Sequence, residues 1–135
     1  MKLITYTDGG SRGNPGQAAL GVVIKNEQKE IIAAYGEYLG IQTNNVAEYS
    51  ALLSALKKAK ELGATEVECI LDSELVVKQM NREYKVKDTT LQKLFVQIYN
   101  LASEFKKISF SHTLRSGNKE ADREVNKVLD ANSKK

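Results

Sequence analysis

Four acidic residues stand where a fold alone does not require them. Asp8 follows an alternating apolar segment, and Asp72 follows the short apolar segment 67–71. Glu48 lies in the first turns of one helical pattern, and Asp122 lies near the start of another. Because the carboxyl ends of neighbouring parallel strands meet at one edge of a sheet, the acids that follow such strands can converge there. The spacing therefore favours a cluster of carboxylates at a sheet edge.

Clustered carboxylates repel one another, so at neutral pH they bind either protons or cations. Ligand sets made of oxygen alone suit Mg²⁺ or Mn²⁺, which commonly bind substrate phosphate as well. Two such ions about 3.5–4 Å apart stabilise both the attacking and the leaving oxygen of an in-line phosphoryl displacement. The residue types thus point to metal-assisted phosphoryl chemistry.

Each acid also has a purely structural alternative. Asp8 suits an Asx-type turn before the glycines that follow it. Glu48 suits a capping box with Asn45 as the N-cap residue. Asp72 suits a cap of the next helix, and Asp122 suits the positive end of its own helix dipole. These alternatives weaken when the acids are taken together, because every one lies at the end of an element.

The hydrophobic pattern predicts a mixture of strands and helices. Alternation predicts strands over 2–7, 19–25, 30–39, 67–71 and 108–114, and helical spacing predicts helices over 45–62, 73–81, 91–105 and 119–131. The glycine-rich stretch 8–16 is predicted to be a turn. An opening meander followed by strands linked by helices predicts an α/β fold, a mixed sheet with helices on both faces.

Composition limits the class of protein but not its function. The chain has 135 residues, 20 Lys and Arg, 17 Asp and Glu, and a net charge of +3, which is too small to indicate a nucleic-acid partner. This length predicts one domain over residues 1–135. Cys69 and His112 are each the single residue of their type, which excludes a structural zinc site. Since no apolar run reaches the roughly 20 residues of a membrane span, we expect a cytoplasmic protein with no membrane partner and no secretion signal.

Four segments resemble the signature segments of type 1 ribonuclease H in order, spacing and context. They are YTDGGSRGNPG at 6–16, TNNVAE at 43–48, LDSELVV at 71–77 and NKEAD at 118–122. The resemblance covers essentially the whole chain. It implies the ribonuclease H-like fold, with a five-stranded mixed sheet, and endonucleolytic cleavage of the RNA strand of RNA–DNA hybrids to 5′-phosphate and 3′-hydroxyl ends.

The resemblance also implies a site for two ions, Mg²⁺ or Mn²⁺, built from Asp8, Glu48, Asp72 and Asp122. Asp8 would bridge both ions, Glu48 and Asp72 would bind one of them, and Asp122 would bind the other. Arg115, on a glycine-containing loop seven residues before Asp122, is the residue expected to assist catalysis.

Substrate contacts follow from the same resemblance. Glycines allow close backbone approach to a minor groove, and only the 2′-hydroxyl distinguishes RNA from DNA. Asn45 and Glu48 would face the RNA, while Asn14 and Thr43 would grip a phosphate of the DNA strand. The full set of expected contacts is Gly9, Gly10, Ser11, Arg12, Asn14, Thr43, Asn44, Asn45, Glu74, Tyr84, Lys85 and Lys87.

The sequence departs from many bacterial members in three places. The segment SHTLRSG at 111–117 is closer to the His-x-x-Arg form of the shorter archaeal-like branch. Because His112 falls inside an alternating strand, we expect it to be a packed structural histidine. Glu74 stands where many relatives carry Gln. The family's large basic protrusion is reduced to the segment 82–87, in which Tyr84 lies among basic residues and suits a phosphate backbone.

The leading hypothesis is a ribonuclease H that acts as a monomer, without a separate hybrid-binding domain. One alternative is a non-catalytic or weakly active hybrid-binding module of the same fold. Another is a nuclease of the same fold that prefers double-stranded RNA or DNA junctions, because one fold hosts several nucleases. We expect the lysine-rich end, 132–135, to be frayed.

Overall fold

The computed structural model describes residues 1–133. The expected fraying is wrong for 132–133, which belong to the last helix, and the expectation for 134–135 lies outside the described residues. The described elements are β1 (Lys2–Gly13), β2 (Gly16–Lys25), β3 (Ile31–Gln42), α1 (Asn44–Glu61), β4 (Glu66–Leu71), α2 (Glu74–Met80), α3 (Thr89–Ala102), β5 (Lys107–His112) and α4 (Lys119–Ser133). A 3₁₀ turn over Arg115–Gly117 precedes α4. Within these residues no helix is long and apolar enough to cross a membrane.

The five strands form one mixed sheet in the order β3-β2-β1-β4-β5. β1 pairs with β2 and β2 with β3 in antiparallel fashion, while β1 pairs with β4 and β4 with β5 in parallel. The central position of β1 places the first segment of the sequence in the middle of the sheet. The predicted α/β class and mixed sheet are confirmed.

Helices cover both faces of the sheet, as the element order predicts. Val22 and Ile24 of β2 enter the main core, which also contains apolar residues of α1, α2 and α3. Ala19 enters a second cluster on the opposite face, where it packs against Val125 and Leu129 of α4. Alternate residues of one strand therefore serve two separate hydrophobic layers.

The glycine-rich stretch is a strand, which corrects the predicted turn over 8–16. β1 continues to Gly13, and its residues from Asp8 onward pair with β2 down to Gly13 opposite Gly16. Only Asn14 and Pro15 remain as the connecting turn. The stretch forms a strand because β2 supplies hydrogen-bond partners for its backbone, a long-range effect that outweighs the poor strand propensity of glycine.

The start of α1 also differs from the capping box proposed for Glu48 and Asn45. Thr43 is the N-cap residue, and its side chain accepts a hydrogen bond from the backbone N–H of Val46 at 3.2 Å. Asn45 lies inside the first turn of the helix instead. Glu48 is therefore free of any capping role and available for contacts with the sheet.

Candidate metal centre and nucleic-acid interface

Three of the four predicted acids lie together in one open cleft of about 510 Å³. Asp8, Glu48 and Asp72 each offer a carboxylate oxygen, and these oxygens lie within 4.8 Å of one another. Asp8 is 6% exposed and Glu48 is 9% exposed. Three elements that are distant in sequence thus bring three carboxylates to one point.

The register of the sheet explains how Asp8 and Asp72 meet. The parallel pairing of β1 with β4 runs to Thr7 opposite Leu71 and ends there. The next residue of each chain segment is the acid, so both side chains emerge where the two strands diverge. The sequence prediction was wrong about the end of β1 but right about the meeting point.

Glu48 reaches this point because α1 lies directly on β1 at Gly9. A Cβ atom at Gly9 would be 2.2 Å from the backbone carbonyl carbon of Ala47, so only glycine fits. Glu48 then accepts a hydrogen bond from the backbone N–H of Gly9. The close approach that Gly9 permits is the approach of a helix. Gly9 also lines the cleft, and its expected contact with a nucleic acid stays a prediction.

The cluster is electrostatically strained without cations. Burial, together with the charges on Glu48 and Asp72, raises the pKa of Asp8 to about 9. Burial and the charge on Asp72 raise the pKa of Glu48 to about 7, although the N–H of Gly9 acts in the opposite direction. An all-oxygen donor set of this charge fits Mg²⁺ or Mn²⁺, because divalent cations remove the repulsion that protons would otherwise relieve.

Asp122 lines the same cleft but is not one of the three converging carboxylates. It lies in the first turn of α4. A side-chain hydrogen bond to Asp8 and then the charge on Asp122 contribute to the raised pKa of Asp8, after the larger effects of burial, Glu48 and Asp72. Gly21, which pairs with Asp8, lets α4 come this close, because a Cβ atom there would be 2.3 Å from the carbonyl oxygen of Ala121. The fourth predicted acid therefore faces the cluster from the other side of the sheet.

Two basic residues near the last acid behave differently from each other. Arg115 lines the cleft, is 82% exposed in its side chain, and places a guanidinium nitrogen 3.8 Å from Oδ1 of Asp122. His112 is exposed at the end of β5. The expectation of a packed His112 is wrong because β5 is an edge strand of the sheet, where few groups cover its side chains.

Backbone and amide groups connect the tip of the β1–β2 hairpin to the start of α1. The N–H of Ser11 donates to Oδ1 of Asn44 at 2.8 Å, and the N–H of Asn44 donates to Oδ1 of Asn14 at 3.1 Å. Together with Gly10, Arg12 and Asn45, Ser11 and Asn44 line the carboxylate cleft. Arg12 is also paired with Asp130 of α4 at 2.6 Å.

The remaining predicted contacts do not line the carboxylate cleft. Tyr84 and Lys85 line a separate groove beside Phe95 of α3, and Lys87 is exposed two residues further on. Glu74, at the start of α2, is exposed and paired with Lys78 at 3.0 Å, which lowers the pKa of Glu74. The structure therefore separates the predicted contact residues into a group at the cleft, a group in the segment 82–87, and Glu74 at the start of α2.

Several residues that organise the site escaped the sequence analysis. The hydroxyl of buried Tyr49 donates to Oε1 of Gln79, and Nε2 of Gln79 donates to the carbonyl of Lys85 at 3.2 Å. Nε2 of Gln92 donates to the neighbouring carbonyl of Val86 at 2.8 Å. No spacing signals these bonds, because Tyr49 falls in the apolar pattern of α1 and both glutamines look like ordinary surface residues.

The raised pKa of Asp8 predicts how stability depends on pH when divalent cations are chelated. The folded state keeps a proton that the unfolded state releases, so stability falls as pH rises between about 5 and 9. Measured by urea unfolding in EDTA, wild type should lose more than about 1 kcal/mol relative to Asp8→Asn over this interval. Glu27→Gln, in an exposed turn, serves as the control. A difference in unfolding free energy between wild type and Asp8→Asn that does not change with pH would contradict the environment described for Asp8.

The packing of α1 against β1 predicts different outcomes for two adjacent glycines. Gly9→Ala forces a methyl group into the backbone of α1 and should cost about 2 kcal/mol or more of unfolding free energy. Gly10→Ala meets only a side-chain methyl of Val125 at 3.3 Å and should cost less than about 1 kcal/mol. Equal costs in denaturant unfolding would show that α1 does not rest on Gly9.

Comparisons with known proteins identify the family of this chain. The family model described as "Reverse transcriptase-like" matches residues 6–128. "Bifunctional protein Rv2228c" of Mycobacterium tuberculosis is 45% identical over 132 residues, 97% of this chain and 36% of the relative, so the chain spans about a third of that relative's length.

Two crystal structures extend the comparison over nearly complete chains. RNase H1 of the archaeon Halobacterium salinarum is 38% identical with a TM-score of 0.95, over 97% of this chain and 99% of that one. LC11-RNase H1, in complex with RNA/DNA hybrid, is 43% identical with a TM-score of 0.91, over 96% of this chain and 97% of that one. This chain belongs to the type 1 ribonuclease H family.

Proposed function

We propose that this protein is a divalent-cation-dependent endonuclease that hydrolyses the RNA strand of RNA–DNA hybrids. The observation that carries the proposal is the convergence of Asp8, Glu48 and Asp72 within 4.8 Å in an open cleft. An open, strongly acidic cleft suits a phosphodiester substrate only if cations lie between the two. The RNA/DNA hybrid bound by the similar LC11-RNase H1 supports the choice of substrate.

Asp8, Glu48 and Asp72 would hold the cations from one side of the cleft, and Asp122 would hold them from the other. The proposed complement is two ions, Mg²⁺ or Mn²⁺, per site. When bound, such a pair activates the attacking water and neutralises charge that develops on the leaving 3′ oxygen, which gives 5′-phosphate and 3′-hydroxyl products. The backbone N–H of Gly9 keeps the Glu48 carboxylate turned toward Asp8.

Arg115 is proposed to assist the reaction from the rim of the cleft. Its guanidinium lies beside Asp122, and its side chain is mostly exposed, so it can exchange a protein carboxylate for a substrate or product phosphate without a large desolvation cost.

The groups around the cleft are proposed to bind the hybrid. Gly10, Ser11 and Asn45 border the carboxylates and would contact the RNA strand, where the 2′-hydroxyl identifies RNA. Asn14 and Thr43 sit where the hairpin tip meets the start of α1 and would contact a phosphate of the DNA strand. Arg12, Asn44 and Glu74 complete this proposed interface.

The segment 82–87 would extend the interface along a phosphate backbone of the hybrid. Tyr84, Lys85 and Lys87 are exposed, and the two glutamine amides that hold the carbonyls of Lys85 and Val86 keep the backbone of this segment in place. A segment that is ordered before binding loses less conformational entropy when it meets a phosphate backbone.

We further propose that residues 1–135 act as a single catalytic domain, as a monomer and in the cytoplasm. Every proposed metal-binding group comes from one chain, so the cleft needs no contribution from a second copy.

Cleavage of labelled duplexes in Mg²⁺ and in Mn²⁺ tests the proposed function. Wild type should nick the RNA strand of a hybrid, and Asp8→Asn should reduce the rate by more than about 100-fold, because losing a direct ligand exceeds the usual 10–100-fold cost of losing an outer partner. Glu27→Gln, far from the cleft, should cleave like wild type.

A substrate panel separates the alternatives in the same assay. Binding of hybrid without cleavage in either metal would instead indicate a hybrid-binding module. Cleavage of double-stranded RNA or DNA junctions without preference for hybrid would indicate a different nuclease of the same fold. Full activity of Asp8→Asn would contradict the metal site itself.

The salt dependence of hybrid binding tests whether the segment 82–87 contacts phosphates. Replacing both Lys85 and Lys87 with Ala should weaken hybrid binding and lower the slope of log K against log salt by about 1–2, since each phosphate contact contributes roughly 0.7–0.9. The rate at saturating hybrid should stay unchanged. The matched control replaces Lys2 and Lys107, at the other end of the sheet, and an equal effect of both pairs would show that the segment has no specific role.

A further inference from the structure

Asn118 connects the strand that carries Asp8 to the helix that carries Asp122. Its side chain is buried at 2% exposure, and Nδ2 donates to the carbonyl of Thr7 at 2.7 Å. Its own carbonyl accepts the backbone N–H of Asp122 at 3.1 Å. One residue therefore makes a hydrogen bond next to each of the two acids, which lie 114 positions apart in the sequence.

The bond to Thr7 forms where the sheet opens. β1 and β4 stop pairing after Thr7 and Leu71, so the carbonyls at this point need partners outside the β1–β4 ladder. The N–H of Thr113 donates to the carbonyl of Leu71 at 2.8 Å, and Asn118 serves the carbonyl of Thr7. The segment between β5 and α4 thus binds the carbonyl of Thr7 within β1 and the carbonyl of Leu71 at the end of β4, each directly before an acid.

The side chain of Asn118 makes its hydrogen bond through the donor atom Nδ2. Its Oδ1 is buried and has no hydrogen-bond partner among the protein groups of residues 1–133. Since a buried amide usually satisfies both of its polar ends, the single bond from Nδ2 to Thr7 is the specific contribution of this side chain.

We propose that Asn118 is a positioning residue that sets the placement of Asp122 relative to Asp8 and thereby the cation affinity of the cleft. The inference rests on the proposed function, in which these acids hold divalent cations. Gly21 removes the steric barrier between α4 and the sheet, and the bond from Asn118 ties the residue that precedes α4 to the backbone of β1. Without it, α4 keeps its apolar packing through Val125 and Leu129 while Asp122 loses its fixed distance from Asp8.

Calorimetric titration of the metal-free protein with Mn²⁺ tests this role without relying on activity. Asn118→Ala should bind Mn²⁺ at least about 10-fold more weakly than wild type, the usual cost of losing a residue that orients a metal ligand. Asn118→Ser should show the same loss, because serine starts a helix well but its side chain is too short to reach Thr7. If Asn118→Ser binds Mn²⁺ with wild-type affinity, the proposal is overturned. This result decides the question even if Asn118→Ala fails to fold.

Two controls separate positioning from general stability. Nδ2 of Asn81, an exposed residue at the C-terminal end of α2, also donates to a backbone carbonyl, that of Phe110, and Asn81→Ala should change Mn²⁺ affinity by no more than about twofold. In an Asp122→Asn background, Asn118→Ala should have no further effect on Mn²⁺ affinity beyond about twofold, because it acts through Asp122. An undiminished loss in that background, or an equal loss in Asn81→Ala, would overturn the positioning role.

The outcomes also distinguish this inference from the proposed function. If wild type binds Mn²⁺ but does not cleave hybrid, the proposed function fails while the variants still decide the role of Asn118. If wild type cleaves hybrid and Asn118→Ser keeps its Mn²⁺ affinity, only the positioning role fails. Absence of Mn²⁺ binding by wild type would overturn both.

Discussion

The mutual repulsion of three carboxylates, two of them buried, is the interaction on which the rest of this structure depends. Asp8, Glu48 and Asp72 would separate if nothing held them, since burial and then the neighbouring carboxylate charges raise the pKa of Asp8 and of Glu48. The hydrophobic packing of α1, α2 and α3 on the sheet supplies the free energy that keeps them together. The fold is therefore organised so that a divalent cation relieves a repulsion that the core imposes.

Close contact between backbones is the means by which the fold applies this constraint. β1 lies at the centre of the sheet, and helices reach it from both faces because glycines remove the side chains in the way. Gly9 admits α1 on one face and Gly21 admits α4 on the other. Gly9 directly follows Asp8, and Gly21 pairs with Asp8 in the sheet. The two glycines therefore let both helices place their acids close to Asp8.

The sequence predicts the elements of this fold better than the contacts between them. The four acids, the element order and the mixed sheet follow from local patterns and from the four signature segments. The continuation of β1 to Gly13 does not, because strand pairing with β2 decides it over a long range. The exposure of His112 depends on β5 being an edge strand, and the buried bonds of Gln79 and Asn118 join segments that no local pattern connects.

The central claim is that the cleft formed by Asp8, Glu48 and Asp72 is a divalent-cation site. Anomalous diffraction from crystals soaked in Mn²⁺ tests it most directly, because it locates the ion without reference to activity. We expect an anomalous peak within about 2–2.5 Å of carboxylate oxygens of these three residues, and its loss in Asp8→Asn crystals. Manganese bound only elsewhere on the surface, or an empty cleft at millimolar Mn²⁺, would show that these carboxylates do not form a cation site.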